Sequence, residues 1–125
     1  MIANAKDDKI KELTSEKAEN GVITFDDDGF SVERKSADSV RMKWDEVREI
    51  QAYKADLFSY DLICWVFLGK DDVWVEVNEE MVGFAKLEKH IEKRFEFEDR
   101  DWFHKVAFPA FETNLMTLWK NTKTI

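Results

Sequence analysis

The chain of 125 residues carries one cysteine, one proline and four glycines. Cys64 has no second cysteine to pair with inside the chain, which points to a reducing compartment. So little proline and glycine excludes a collagen-like chain or a low-complexity linker. No apolar run approaches the ~18 residues of a membrane-spanning helix. The first twenty residues include Asp7, Asp8, Glu12 and Glu16 and no apolar stretch, unlike a signal peptide. With the lone cysteine, this predicts a cytoplasmic protein. Basic charge is also scarce: 19 Lys and Arg stand against 27 Asp and Glu, a net charge of −8. Nucleic acids and anionic membranes both require clustered cations, so neither is expected as a partner. A basic protein is compatible with this charge.

What is present is apolar and aromatic. Hydrophobic residues make up 44% of the chain, with ten Phe and five Trp. The length suits one domain, of which roughly two-thirds of the unfolded surface is buried on folding. Residues 1–21 read as an N-terminal helix or flexible arm, ending at Asn20-Gly21, and residues 22–125 as a single α+β domain.

From Val22 the apolar period is two. Val22–Phe25, the turn Asp26-Asp27-Asp28-Gly29 and Phe30–Arg34 predict a hairpin, with Gly29 supplying a positive φ. Val40 and Met42 alternate with Arg41 and Lys43 in a third strand. A tight turn at Trp44–Ile50 leads to a fourth strand through Ile50, Ala52 and Lys54. Leu62–Leu68 is apolar throughout, as in a central strand buried on both faces. Gly69–Asp72 turns the chain into a sixth strand, where Val73, Val75 and Val77 alternate with Trp74 and Glu76. The period then becomes helical: Met81, Phe84, Leu87, Ile91 and Phe95 form one stripe over about 79–94, with Asn78 as N-cap. A short helix carries Trp102, Phe103 and Val106 and stops by Pro109. Residues 111–119 fit a helix and a strand equally.

About six mostly antiparallel strands, forming a curved sheet or partial barrel closed by a C-terminal helix, resemble the pleckstrin-homology-like fold. The strand order and the Trp44–Ile50 segment carry that resemblance. The chain is also similar to a group of small uncharacterised bacterial proteins through Glu79-Glu80-Met81, Gly83-Phe84 and Pro109-Ala110-Phe111. In lipid-binding relatives of the fold a basic loop between the first two strands holds the phosphoinositide. The matching loop here, Asp26–Gly29, is acidic and repels phosphate.

No constellation in the sequence spells out catalysis. The calcium-loop pattern laid over Asp26–Gly29 has Thr24 in its first position and Lys35 in its last, so a turn is expected there and no metal. Glu76, Glu79 and Glu80 cluster near Asp71 and Asp72, which exposure and helix capping explain. His90 is expected on a charged helix flank, and His104 as a partly buried, satisfied histidine. Cys64 lies in the most apolar strand, where burial suppresses thiol reactivity. No Gly-rich phosphate loop and no G-x-S-x-G occurs, and no cofactor is expected. The most informative residues are aromatics outside the obvious core. Phe58 and Tyr60 lie in a loop between Asp56 and Asp61, and Tyr53 and Trp74 extend the same surface if strands four and six expose one face. The expectation is a non-catalytic protein-binding module that binds a protein partner or a second copy of itself. An immunity or antitoxin-like neutraliser of a basic toxin is one form of it. The alternatives are a small-ligand or lipid carrier with a pocket between sheet and helix, and an enzyme using a carboxylate or His104.

Overall fold

The computed structural model describes residues 21–35, 37–56, 61–108 and 114–121. The expected N-terminal helix or arm, the Phe58/Tyr60 loop and Pro109 fall outside the described residues. Strands β1 (Val22–Phe25), β2 (Gly29–Arg34) and β3 (Ala37–Lys43) pair antiparallel in one sheet. A 3-10 turn, Trp44–Glu46, leads to β4 (Glu49–Asp56), β5 (Asp61–Leu68) and β6 (Trp74–Asn78). Helix α1 (Phe84–Arg94) and the short helix α2 (Trp102–Ala107) follow, and β7 (Met116–Lys120) comes last. The second sheet is ordered β6-β5-β4-β7, all antiparallel. The class is α+β, as expected, but among the described residues there are seven strands in two sheets and no closed barrel. Among the described residues the last element is a strand and not a helix. Met116-Thr117-Leu118-Trp119 suits either state in isolation, and the open edge of β4 decides for pairing.

Alternation explains which face each strand buries. Ile23, Phe30, Val32 and Met42 point inward from the first sheet, and Ile50, Ala52, Trp65, Phe67, Val75 and Val77 from the second. Trp65 is fully buried at the centre, its ring 5.3 Å from Phe84 and 5.4 Å from Trp102. A second stack joins Phe30 to Trp44 at 5.3 Å and to Phe67 at 4.5 Å. Such ring pairs add to the burial of large apolar area. The aromatic surplus of the sequence is therefore mostly core.

Three details differ from expectation. Gly29 has no positive φ; it is required because a Cβ there would lie 2.3 Å from the Met42 carbonyl oxygen on β3. The helix begins at Phe84 and not near Glu79. Gly83, at φ 93°, breaks the helical path, and Val82 exchanges backbone hydrogen bonds with β1: Ile23 N–H donates to Val82 O at 2.8 Å, and Val82 N–H to Gly21 O at 3.1 Å. Asn78 accepts from the Glu80 N–H at 3.0 Å, in a local turn and not a helix cap.

The β5–β6 turn contains two left-handed residues, Asp71 (φ 59°) and Asp72 (φ 63°), the pair a type I′ turn requires. Glycine tolerates that conformation better than aspartate. Asp72→Gly is expected to raise stability by about 0.5–1 kcal/mol, or about 2–4 °C in melting temperature, measured by thermal denaturation.

Candidate functional site

The outer face of the second sheet is where the sequence placed its binding residues. Pairing puts Tyr53 opposite Cys64 and Cys64 opposite Asn78, while Leu68 pairs with both Glu49 and Trp74. In antiparallel strands paired residues share a face and alternate residues return to it. Tyr53, Cys64, Val66, Leu68, Glu76 and Trp74 therefore lie on one face, with Tyr53 and Trp74 two strands apart and four residue pairs apart along the sheet. The register puts Tyr53 and Trp74 on the same face of the sheet, at opposite ends of it. Phe58 and Tyr60, the other candidates read from the sequence, lie outside the described residues.

The two ends of this face differ. At one end Tyr53 is half-buried and its hydroxyl donates to the Glu76 carboxylate. Burial, then that bond, holds the phenol well above its ordinary range. Cys64 is 3% exposed, and burial pushes its thiol up to about 11, with the carboxylates of Glu76, Glu79 and Glu80 acting in the same direction. Both groups stay protonated at neutral pH, so neither the phenol nor the thiol is an activated nucleophile. At the other end Trp74 is 61% exposed and its neighbour Val73 55%. Trp44, Trp65 and Trp102 are buried and Trp119 packs against the core. Trp74 alone of the five tryptophans stands in solvent, although neighbouring Val75 is buried in the ordinary alternation.

Beside Val73 runs a groove of about 350 Å³ lined by Met42, Arg41, Arg48, Lys70, Asp45 and Asp71, among others. Arg41, one of its lining residues, is held by the first turn. Its guanidinium donates to both carboxylate oxygens of Asp26 at 2.9 and 3.1 Å. The Asp26 carboxyl also accepts the N–H groups of Asp28 (2.9 Å) and Gly29 (3.0 Å). The Asp28 N–H, then Arg41, then the Gly29 N–H hold Asp26 below the usual carboxylate range. The acidic run is thus a turn that folds on itself and clamps β3. Trp44 adds to it, donating its indole N–H to the Asp26 carbonyl at 2.9 Å.

The acidic end of β6 is not one site. Glu76 accepts from Tyr53, whereas Glu79 accepts the Ile63 N–H at 3.0 Å and returns its own N–H to the Ile63 carbonyl at 3.0 Å. Asp71 and Asp72 sit at the opposite end of the strand. His90 lies half-buried between the rings of Phe25 (4.8 Å) and Trp44 (5.1 Å), on the helix flank as expected. His104 is exposed and not partly buried; its ring meets that of Phe108 at 5.0 Å. Among the described residues no three His, Cys, Asp or Glu side chains are placed to hold a metal ion, and no helix is long and apolar enough to cross a membrane.

Sequence reasoning missed one buried charge. Lys54 follows Ile50 and Ala52 on the inner face of β4 and is buried with them. Its ammonium donates to the Ala107 carbonyl at 2.8 Å and lies 3.5 Å from the Asp61 carboxylate. The alternation of Ile50, Ala52 and Lys54 was the available signal.

Set against models of protein families, curated proteins and solved structures, the chain matches none.

Proposed function

We propose that this domain is a non-catalytic protein-binding module, and that Trp74 is its anchor. The observation that carries the proposal is the exposure of Trp74 and Val73 beside a groove of mixed charge, in a chain whose other tryptophans are packed away. Exposed aromatics next to polar rims supply most of the energy at protein interfaces, often about 2 kcal/mol or more each. The net charge of −8 favours a partner with a basic surface, the immunity or antitoxin-like case included, and disfavours nucleic acid or an anionic membrane. Tyr53, Phe58 and Tyr60 belong to the same proposal as flanking contacts. A cytoplasmic setting and a pleckstrin-homology-like plan are also parts of it. The division into three and four antiparallel strands, joined by the Trp44–Glu46 turn, supports that plan; β7 after the helices departs from it.

The test compares the wild type with Trp74→Ala as baits in extracts of the source cells. Any protein captured by the wild type alone is then purified and titrated calorimetrically. Trp74→Ala is expected to weaken binding about 30-fold and to leave the melting temperature within about 2 °C. Sedimentation of the free chain tests a second copy as the partner. Equal capture and equal affinity for both baits, with both chains monomeric, would place the interface elsewhere.

A further inference from the structure

Leu62 and Cys64 are buried on the face of the second sheet that points away from the core. They alternate with Ile63 and Trp65 on β5, so they share the outer face with Tyr53 and Val66. Leu62 is 8% exposed and Cys64 3%, yet neither belongs to the contiguous apolar core. Both described helices pack on the opposite face: Phe84 of α1 and Trp102 of α2 meet the Trp65 ring at 5.3 and 5.4 Å. No described helix therefore covers Leu62 and Cys64.

The chain enters beside them. Gly21, the first described residue, accepts the Val82 N–H, and Val22 bridges to Val82 just past Asn78, the β6 residue paired with Cys64. Residues 1–20 therefore join the domain at the Cys64 end of the outer face. In a helix, at about 100° per residue, Ile2, Lys6, Lys9, Ile10, Leu13 and Lys17 fall within one arc of about 100°. The acids of the segment, Asp7, Asp8, Glu12, Glu16 and Glu19, all fall outside it. Such a stripe sets apolar side chains between cations. The outer face offers the complement: Leu62, Cys64 and Val66 for the apolar side chains, and Glu76, Glu79 and Glu80 around its Asn78 end for the lysines. Lysine stems cover apolar surface while their ammonium groups reach a carboxylate. Twenty helical residues run about 30 Å, against roughly 14 Å between the outer strands of a four-stranded sheet.

We propose that residues 1–20 dock as an amphipathic helix on the outer face of the second sheet, over Leu62 and Cys64. Trp74 pairs with Leu68 at the other end of the face and stays clear of the docked segment, which confines a partner to that end. The docking does not rest on the protein-binding reading, and the failure of one leaves the other standing.

Cys64 is the single thiol of the chain, so its alkylation by iodoacetamide reports whether the face is covered. In the full chain, Ile10→Asp with Leu13→Asp is expected to speed alkylation about tenfold or more, at a temperature where circular dichroism shows the chain folded. Glu12→Gln with Glu16→Gln, off the stripe, is expected to leave the rate unchanged. A cysteine on the stripe, Ile10→Cys or Leu13→Cys, is expected to form an intramolecular disulfide with Cys64 on mild oxidation, and Glu12→Cys is not. Unchanged alkylation in the Ile10/Leu13 variant, no disulfide from either stripe position, or an equal yield from Glu12→Cys would each overturn the proposal.

Discussion

Leu87→Ala is expected to cost about 2–5 kcal/mol, seen as a fall in denaturant midpoint with the slope unchanged. Leu87 is fully buried on α1, one turn from Phe84 and one turn from Ile91, and these three side chains are how the helix closes on the sheets. Cutting the side chain back removes transfer energy and leaves a void in a closely packed core that collapses only in part. Leu87→Met, which keeps the volume, is expected to cost less than about 1.5 kcal/mol. Lys89→Ala, on the exposed flank of the same helix, is expected to stay within about 0.5 kcal/mol of the wild type. A midpoint unmoved by Leu87→Ala would mean that the helix does not seal this core.

The stripe behind that expectation is legible in the sequence. Met81, Phe84, Leu87, Ile91 and Phe95 recur at helical spacing, and all five are buried. The alternation of β1, β2, β4 and β6 is equally legible, because a half-buried strand shows its inner face as every second residue, while β5 shows as an unbroken apolar run. What escapes sequence reasoning depends on partners distant in the chain. The helix could have begun at Glu79, but the backbone of Val82 pairs with that of β1 and Gly83 turns away from the helical path. Residues 116–120 become a strand because β4 has an edge to offer them. His104 has apolar neighbours in sequence yet stands exposed, because Trp102 and Val106 take the buried side of its short helix. Of the candidate site, the shared face of Tyr53 and Trp74 follows from strand register. The exposure of Trp74 does not, since it depends on where α1 packs.

Lys54 is expected to give the second large effect, for a reason opposite to that of Leu87. Its register on β4 places a cation where Ile50 and Ala52 are fully buried, and its side chain is 1% exposed. Such a charge is tolerated only with compensation. The Ala107 carbonyl at the end of α2 and the Asp61 carboxylate provide it, tying the helix to the centre of the second sheet. Lys54→Met keeps most of the stem but removes the donor from Ala107 and the cation beside Asp61. Breaking a buried pair costs about 3–5 kcal/mol; Asp61 is 18% exposed, so about 2–4 kcal/mol is expected here, measured by denaturant unfolding. Asp61→Asn is expected to cost less, because Lys54 keeps the Ala107 carbonyl. Lys54→Met combined with Asp61→Leu removes both charges and is expected to recover at least half of the loss, since apolar replacement of a whole buried pair is often neutral. That recovery separates a pair that locates α2 from one that stabilises it outright. If Lys54→Met unfolds within about 0.5 kcal/mol of the wild type, the lysine is solvated in solution and α2 is not anchored through it.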